Sequence, residues 1–157
     1  MHALKKLLVP TDFGALAELA LRYARELARN LRAEVHVLHV LDEPPSFAWG
    51  VPEDAYVPGY SFAADEQKQV HKNLEKLMAE GEREHLTVRA AVRRGSPFTE
   101  IVNYARANGI DVIVMGTDGR GPIRHMLTGT GVAEQVVRKA PCPVLTVRSP
   151  EREHALA

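Results

Sequence analysis

The chain has 157 residues, 45% hydrophobic and 25% charged, with 20 basic side chains balanced by 20 acidic ones. That length fits one domain able to bury a proper core. Zero net charge offers no field to a nucleic acid or an anionic membrane surface, and no apolar run reaches membrane-spanning length. The single cysteine, Cys142, excludes an intramolecular disulfide and suits a reducing compartment. The N-terminal residues lack the signal-peptide pattern, so a cytoplasmic protein is expected.

Leu7-Leu8-Val9 is a wholly apolar run ended by Pro10, as expected of a strand buried on both faces. Thr11-Asp12-Phe13-Gly14 is a turn in which Thr11 or Asp12 is able to cap the following helix. Leu16, Leu19, Ala20, Tyr23, Leu27 and Leu31 recur at helical steps, and Arg22, Arg25, Glu26 and Arg29 fill the other, solvated face. Val35 to Leu41 reads as a second strand, completing a right-handed βαβ unit.

Residues 42–64 break this rhythm with Pro44, Pro45, Pro52 and Pro58 and the aromatics Phe47, Trp49, Tyr56, Tyr60 and Phe62. So long a connection is expected to be an irregular cover, a lid over a ligand, or part of a dimer contact. A polar helix over Asp65–His85 follows, with a stripe at Val70, Leu74, Leu77 and Met78. Val88–Val92 is the third strand. Ser96-Pro97 places an N-cap before proline at the first position of a helix that carries Phe98, Ile101, Val102 and Ala105 inward and stops at Asn108-Gly109. Val112–Met115 is the fourth strand. Val144–Val147 is the fifth, and Pro141 and Pro143 at its start predict a sheet edge. Residues 1–150 form one domain and 151–157 a polar tail.

Strands alternating with helices predict an α/β fold with a doubly wound five-stranded parallel sheet and helices on both faces. With strand order 3-2-1-4-5, the reversal between the first and fourth strands sets Pro10-Thr11-Asp12 beside Gly116-Thr117-Asp118-Gly119, where such sheets bind ligands. Glycine density selects the same place. Gly116, Gly119, Gly121, Gly129 and Gly131 crowd one loop between the fourth strand and the helix resuming at Val132. Strand, glycine loop and helix present backbone N–H groups to a phosphate.

Gly116-x-x-Gly119, nine residues, then Gly129-Thr130 resembles the nucleotide-binding signature of the universal stress protein family. The resemblance extends to Leu8-Val9-Pro10-Thr11-Asp12-Phe13, Leu38-His39-Val40, Arg94-Gly95-Ser96-Pro97 and Ala140-Pro141-Cys142-Pro143-Val144-Leu145, roughly residues 4 to 148. It implies an adenine-nucleotide alpha-hydrolase-like fold, a homodimer through the last strand (Val144–Val147), and binding of ATP, ADP or AMP, with Mg2+ beside the phosphates. Carried over by residue, it implies that Pro10, Thr11 and Asp12 line the adenosine pocket and that Val40 offers backbone groups to the adenine. Met115 and Gly116 would lie against the ribose. Gly119, Arg120, Gly129 and Thr130 would hold the phosphates, with the next backbone N–H, from Gly131 or Val132. Family members usually run from Gly-Ser or Gly-Thr directly into a Val-x-Glu helix. Here Gly131 intervenes, and an alternative alignment makes Gly131 the phosphate glycine.

Other motifs are absent or incomplete. There is no Walker-type Gly-x-x-x-x-Gly-Lys-Ser/Thr, and Gly129-x-Gly131 has Glu134 where a dinucleotide fingerprint needs a third glycine. His36 and His39, three apart on a strand, point to opposite faces and read as a core and a surface histidine. His125 reads as an exposed loop residue and Cys142 as a structural thiol. The sequence thus predicts a regulatory stress-response module that binds an adenine nucleotide and signals to a protein partner the sequence does not name. The alternatives are a nucleotide-free dimeric interaction module and a slow ATPase in which Asp12 or Asp118 serves a metal or a water.

Overall fold

The computed structural model describes residues 3–41, 62–117 and 131–148, with backbone alone at 62–64. Along them run β1 (Lys6–Pro10), α1 (Ala15–Leu31), β2 (Glu34–Leu41), α2 (Phe62–Arg83), β3 (Val88–Arg94), α3 (Pro97–Asn108), β4 (Val112–Gly116), α4 (Val132–Lys139) and β5 (Val144–Val147). The five strands pair in parallel in the order β3-β2-β1-β4-β5, as the sequence predicts.

The apolar runs explain the centre of the sheet. Leu7, Leu8 and Val9 are fully buried, and successive side chains face opposite layers. Leu7 and Val9 join Val35, Val37 and Val114 under α1 and α2, while Leu8 joins Leu38 and Ile113 under α3 and α4. Each such side chain contributes about 1.5–3 kcal/mol by leaving water. Right-handed crossovers put α1 and α2 on one face as the chain winds from β1 to β3. They put α3 and α4 on the other as it winds back through β4 to β5.

Several local expectations are corrected. The buried stripe of α1 is Ala17, Ala20, Leu21, Ala24 and Ala28, whereas Tyr23 and Leu31 are exposed. Small side chains let this helix lie close to the sheet, so the alanines win over the larger residues beside them. Arg25 is not on a solvated face. It is buried against α2, donating to Leu77 O at 3.3 Å and pairing with Glu80 at 3.4 Å, while Arg29 pairs with Glu84 at 2.6 Å. The helix expected from Asp65 starts at Phe62, so Phe62–Ala64 leave the 42–64 connection, in keeping with the helix propensity of Ala63-Ala64. Residues 42–61 and the tail from 149 lie outside the described residues. β5 is an edge, where Pro143 serves only as an acceptor, from Ile113 N–H at 3.0 Å.

Candidate functional site

The chain leaves the carboxyl end of β1 through Thr11-Asp12-Phe13-Gly14. Neither Thr11 nor Asp12 caps α1, contrary to the sequence reading. The N-cap is Gly14, with no side-chain bond. The two side chains instead fold the turn on itself: Phe13 N–H donates to Thr11 Oγ1 at 2.9 Å, and Gly14 N–H donates to Asp12 Oδ1 at 2.8 Å. Short polar side chains favour such local bonds over helix capping one residue further on. A Cβ on Gly14 would stand 2.9 Å from Asp12 Oδ1, so glycine is what lets the carboxylate close the turn. Asp12 itself stays exposed, with Oδ2 unpartnered among the described residues. Phe13 has φ 61, a left-handed conformation that costs a bulky residue about 1–3 kcal/mol unless its surroundings hold it there.

His39 supplies that hold. Its ring stacks on Phe13 with centroids 4.8 Å apart, and its Nδ1–H donates to Thr11 O at 2.7 Å. A carbonyl only accepts, so Nδ1 carries the proton. This corrects the reading of His39 as a surface histidine: it is half-buried at the site. The signal was present in the strand register, because residue 39 lies on the α1 face one step past the end of β1. Val40 follows, packed on the α3 side.

β4 ends at Met115 and Gly116, at the same end of the sheet, since Leu8 is level with Ile113 in parallel register. Met115 is buried. A Cβ on Gly116 would meet Leu16 Cβ at 2.8 Å, so the end of β4 lies directly against the first turn of α1. Thr117 N–H then donates to Val147 O at 3.0 Å. Asp118, Gly119, Arg120, His125, Gly129 and Thr130 lie outside the described residues. Gly131 is the N-cap of α4 in an ordinary extended conformation, φ −66 and ψ 161, and a Cβ there would meet nothing within 4 Å among the described residues. Among the described residues no side chain caps this helix at Gly131. Pro10, Thr11, Asp12, Val40, Met115 and Gly116 thus gather at the carboxyl ends of β1, β2 and β4, and chain order brings Gly131 and Val132 to the same side.

Two other groups stand apart from this end. His36 is buried on the α3 side, bonded to Tyr104 Oη at 2.8 Å and to Glu34 Oε1 at 2.9 Å. The His36 bond, joined by the Arg89 guanidinium, holds the Glu34 carboxyl below its usual range despite partial burial. Burial pushes the Tyr104 phenol up, with Arg93 5.4 Å over its ring. Cys142 is half-buried and its thiol is likewise pushed up by burial and by Asp111, which keeps it protonated and unreactive at neutral pH. Among the described residues, no three His, Cys, Asp or Glu side chains come together as a metal site, and no helix is long and apolar enough to cross a membrane.

Comparison with known proteins bears on the whole described sheet. Universal stress protein MJ0531 of Methanocaldococcus jannaschii is 33% identical over 149 residues, spanning 95% of this chain and 85% of that one. MJ0577 of the same organism is 32% identical over 160 residues. Its solved structure superposes with a TM-score of 0.76, covering 94% of this chain and 98% of that one. The same fold recurs in a universal stress protein solved in complex with cAMP, at 20% identity and TM-score 0.69 over 93% of this chain and 98% of that one. It recurs again in one from Archaeoglobus fulgidus in complex with dAMP, at 23% and 0.63 over 92% and 98%. The pattern of the Universal stress protein family matches residues 3–148, from just before the central strand to just past the edge strand, and the chain belongs to that family.

Proposed function

We propose that this protein is a regulatory module that binds an adenine nucleotide at the reversal of strand order. One observation carries the reading: at the joined ends of β1, β2 and β4, where the strand order reverses, an exposed Asp12 carboxylate lies beside a Val40 amide that pairs with nothing among the described residues. The cAMP and dAMP held by two proteins of this fold support adenine nucleotides as the ligand class. Pro10, Thr11 and Asp12 take the adenosine, Val40 the adenine edge, and Met115 and Gly116 the ribose. The phosphates fall to Gly119, Arg120, Gly129 and Thr130 and to the amides at Gly131 and Val132, where a helix N-terminus favours anions. ATP, ADP and AMP share the adenosine contacts. Among the described residues, Asp12 Oδ2 is a carboxylate oxygen available to Mg2+ beside a triphosphate.

The test is direct. The protein is purified without added nucleotide and denatured, and the released molecules are separated by anion exchange with mass detection. Stoichiometric ATP, ADP or AMP is expected, and Asp12→Ala is expected to weaken binding about tenfold with the fold intact. A blank, followed by no calorimetric response to MgATP, would reject the reading in favour of a nucleotide-free module. Phosphate release under turnover conditions would make it an ATPase.

The same reading includes a homodimer through β5. The outer edge of Val144–Val147 pairs with nothing among the described residues, and Leu145 on it is 40% exposed. Sedimentation velocity is expected to give twice the chain mass. A second, unidentified protein is the recipient of the signal.

A further inference from the structure

The β1–β2 ladder stops one bond early among the described residues, and a side chain bonds the carbonyl it would have used. Glu34 N–H donates to Lys5 O at 2.8 Å, whereas Val35 N–H donates to Thr87 O at 2.9 Å on the β3 side. Even-numbered residues of β2 therefore face β1 and odd-numbered ones face β3. At the far end, Thr11 N–H donates to Leu38 O at 2.8 Å. The two-residue repeat makes Val40 N–H to Thr11 O the next bond, and that bond is absent among the described residues. The Thr11 oxygen accepts His39 Nδ1–H at 2.7 Å instead, and Phe13, stacked on the same ring, carries the chain away from the sheet at φ 61.

We propose that His39 is a positioning residue of the nucleotide site: by occupying Thr11 O it leaves the Val40 amide open to a ligand acceptor and fixes the turn that presents Asp12. This rests on the adenine-nucleotide reading above and adds to it the residue that prepares the site. The physical logic is substitution. A strand-end amide is a strong donor that closes on a well-aligned carbonyl. Thr11 O has a second lone pair, but with His39 Nδ1–H on it at 2.7 Å and the chain turned aside at Phe13, the Val40 amide does not close on it. The freed N–H suits a ring nitrogen acceptor, which every adenine nucleotide carries. The same ring holds Phe13 in its left-handed conformation, so the amide and the Asp12 carboxylate are set by one side chain.

Two variants separate the parts of this role. His39→Phe keeps a ring to stack on Phe13 and loses the donor; His39→Asn keeps a donor near the Nδ1 position and loses the ring. Backbone amide exchange is followed by NMR in the free protein and with MgATP or AMP, and affinity is measured by calorimetry. In the wild type the Val40 amide is expected to exchange freely without ligand and to slow when MgATP or AMP binds. In His39→Phe it is expected to close on Thr11 O, slowing at least tenfold without ligand, while nucleotide affinity falls about tenfold. His39→Asn is expected to leave Val40 exchange as in the wild type, a rescue that a merely structural histidine would not show. A Val40 amide already protected in the free wild type, or unchanged exchange and affinity in His39→Phe, would overturn the proposal. The wild-type exchange measurement decides this even if a variant fails to fold. A wild type that binds neither MgATP nor AMP would reject the functional reading, while the exchange arm would still decide whether His39 holds the turn.

Discussion

His36 and His39 stand three residues apart on one strand and do opposite things. His36 faces α3 with both ring nitrogens engaged, between buried Tyr104 and Glu34, in a network that runs from the core out to the exposed Arg89. His39 faces α1, and its bond takes a carbonyl away from the ladder. A buried polar group whose partners are all satisfied holds a core together. One that interrupts regular pairing instead leaves backbone groups available at the edge of a site. The residue type is the same, and the register and the neighbouring element assign the role.

The largest effect expected from breaking this contrast is at His36. His36→Leu strips Tyr104 Oη and Glu34 of a partner and is expected to cost about 2–4 kcal/mol in denaturant unfolding, with nucleotide affinity per folded molecule unchanged. A loss of affinity without a loss of stability would erase the distinction between the two histidines. Gly116→Ala comes next, at about 1–3 kcal/mol, because its Cβ would be forced against Leu16 Cβ at 2.8 Å. Here affinity should fall too, since the end of β4 must shift, and calorimetry checks it.

A smaller effect comes from pH. The folded-state pKa of Glu34 is depressed from its ordinary 4.5 by the His36 bond and by Arg89. Its contribution to stability is therefore fully present above that ordinary value and lost as pH falls through the lower folded value. Glu34→Gln should lose this contribution near neutrality and flatten the stability profile in the acid window, so that the two proteins converge as pH falls, as read from urea midpoints across pH. Smallest of all, Gly131→Ala should change stability by no more than about 0.5 kcal/mol, because the backbone there is ordinary and the space open. A large drop in its phosphate affinity would instead support the alignment that makes Gly131 the phosphate glycine.

Much of this was legible in the residues. Uninterrupted apolar runs such as Leu7-Leu8-Val9 demand burial on both faces, and alternation with helical stripes then demands a parallel sheet wound both ways. The prolines around Cys142 announced an edge strand, and Asn108-Gly109 announced a helix end, with Gly109 at φ 60. These are local properties, set by backbone geometry and the cost of exposing apolar surface. What stayed hidden depended on distant partners. Arg25 reads as a solvated charge until α2 lies over it, and alanines read as filler until a sheet comes close. Tyr104 gave no sign of the histidine it would meet. Thr11 and Asp12 read as helix caps because the left-handed Phe13 that shifts the helix start is held by a ring from the next strand. The sequence by itself determined the layers and the strand order, and it pointed to the end of the sheet where the ligand is proposed to bind. Only the tertiary structure decided which backbone groups are left open there, because that choice is a competition between His39 and Val40 for one carbonyl, and parallel pairing is what brings the three together.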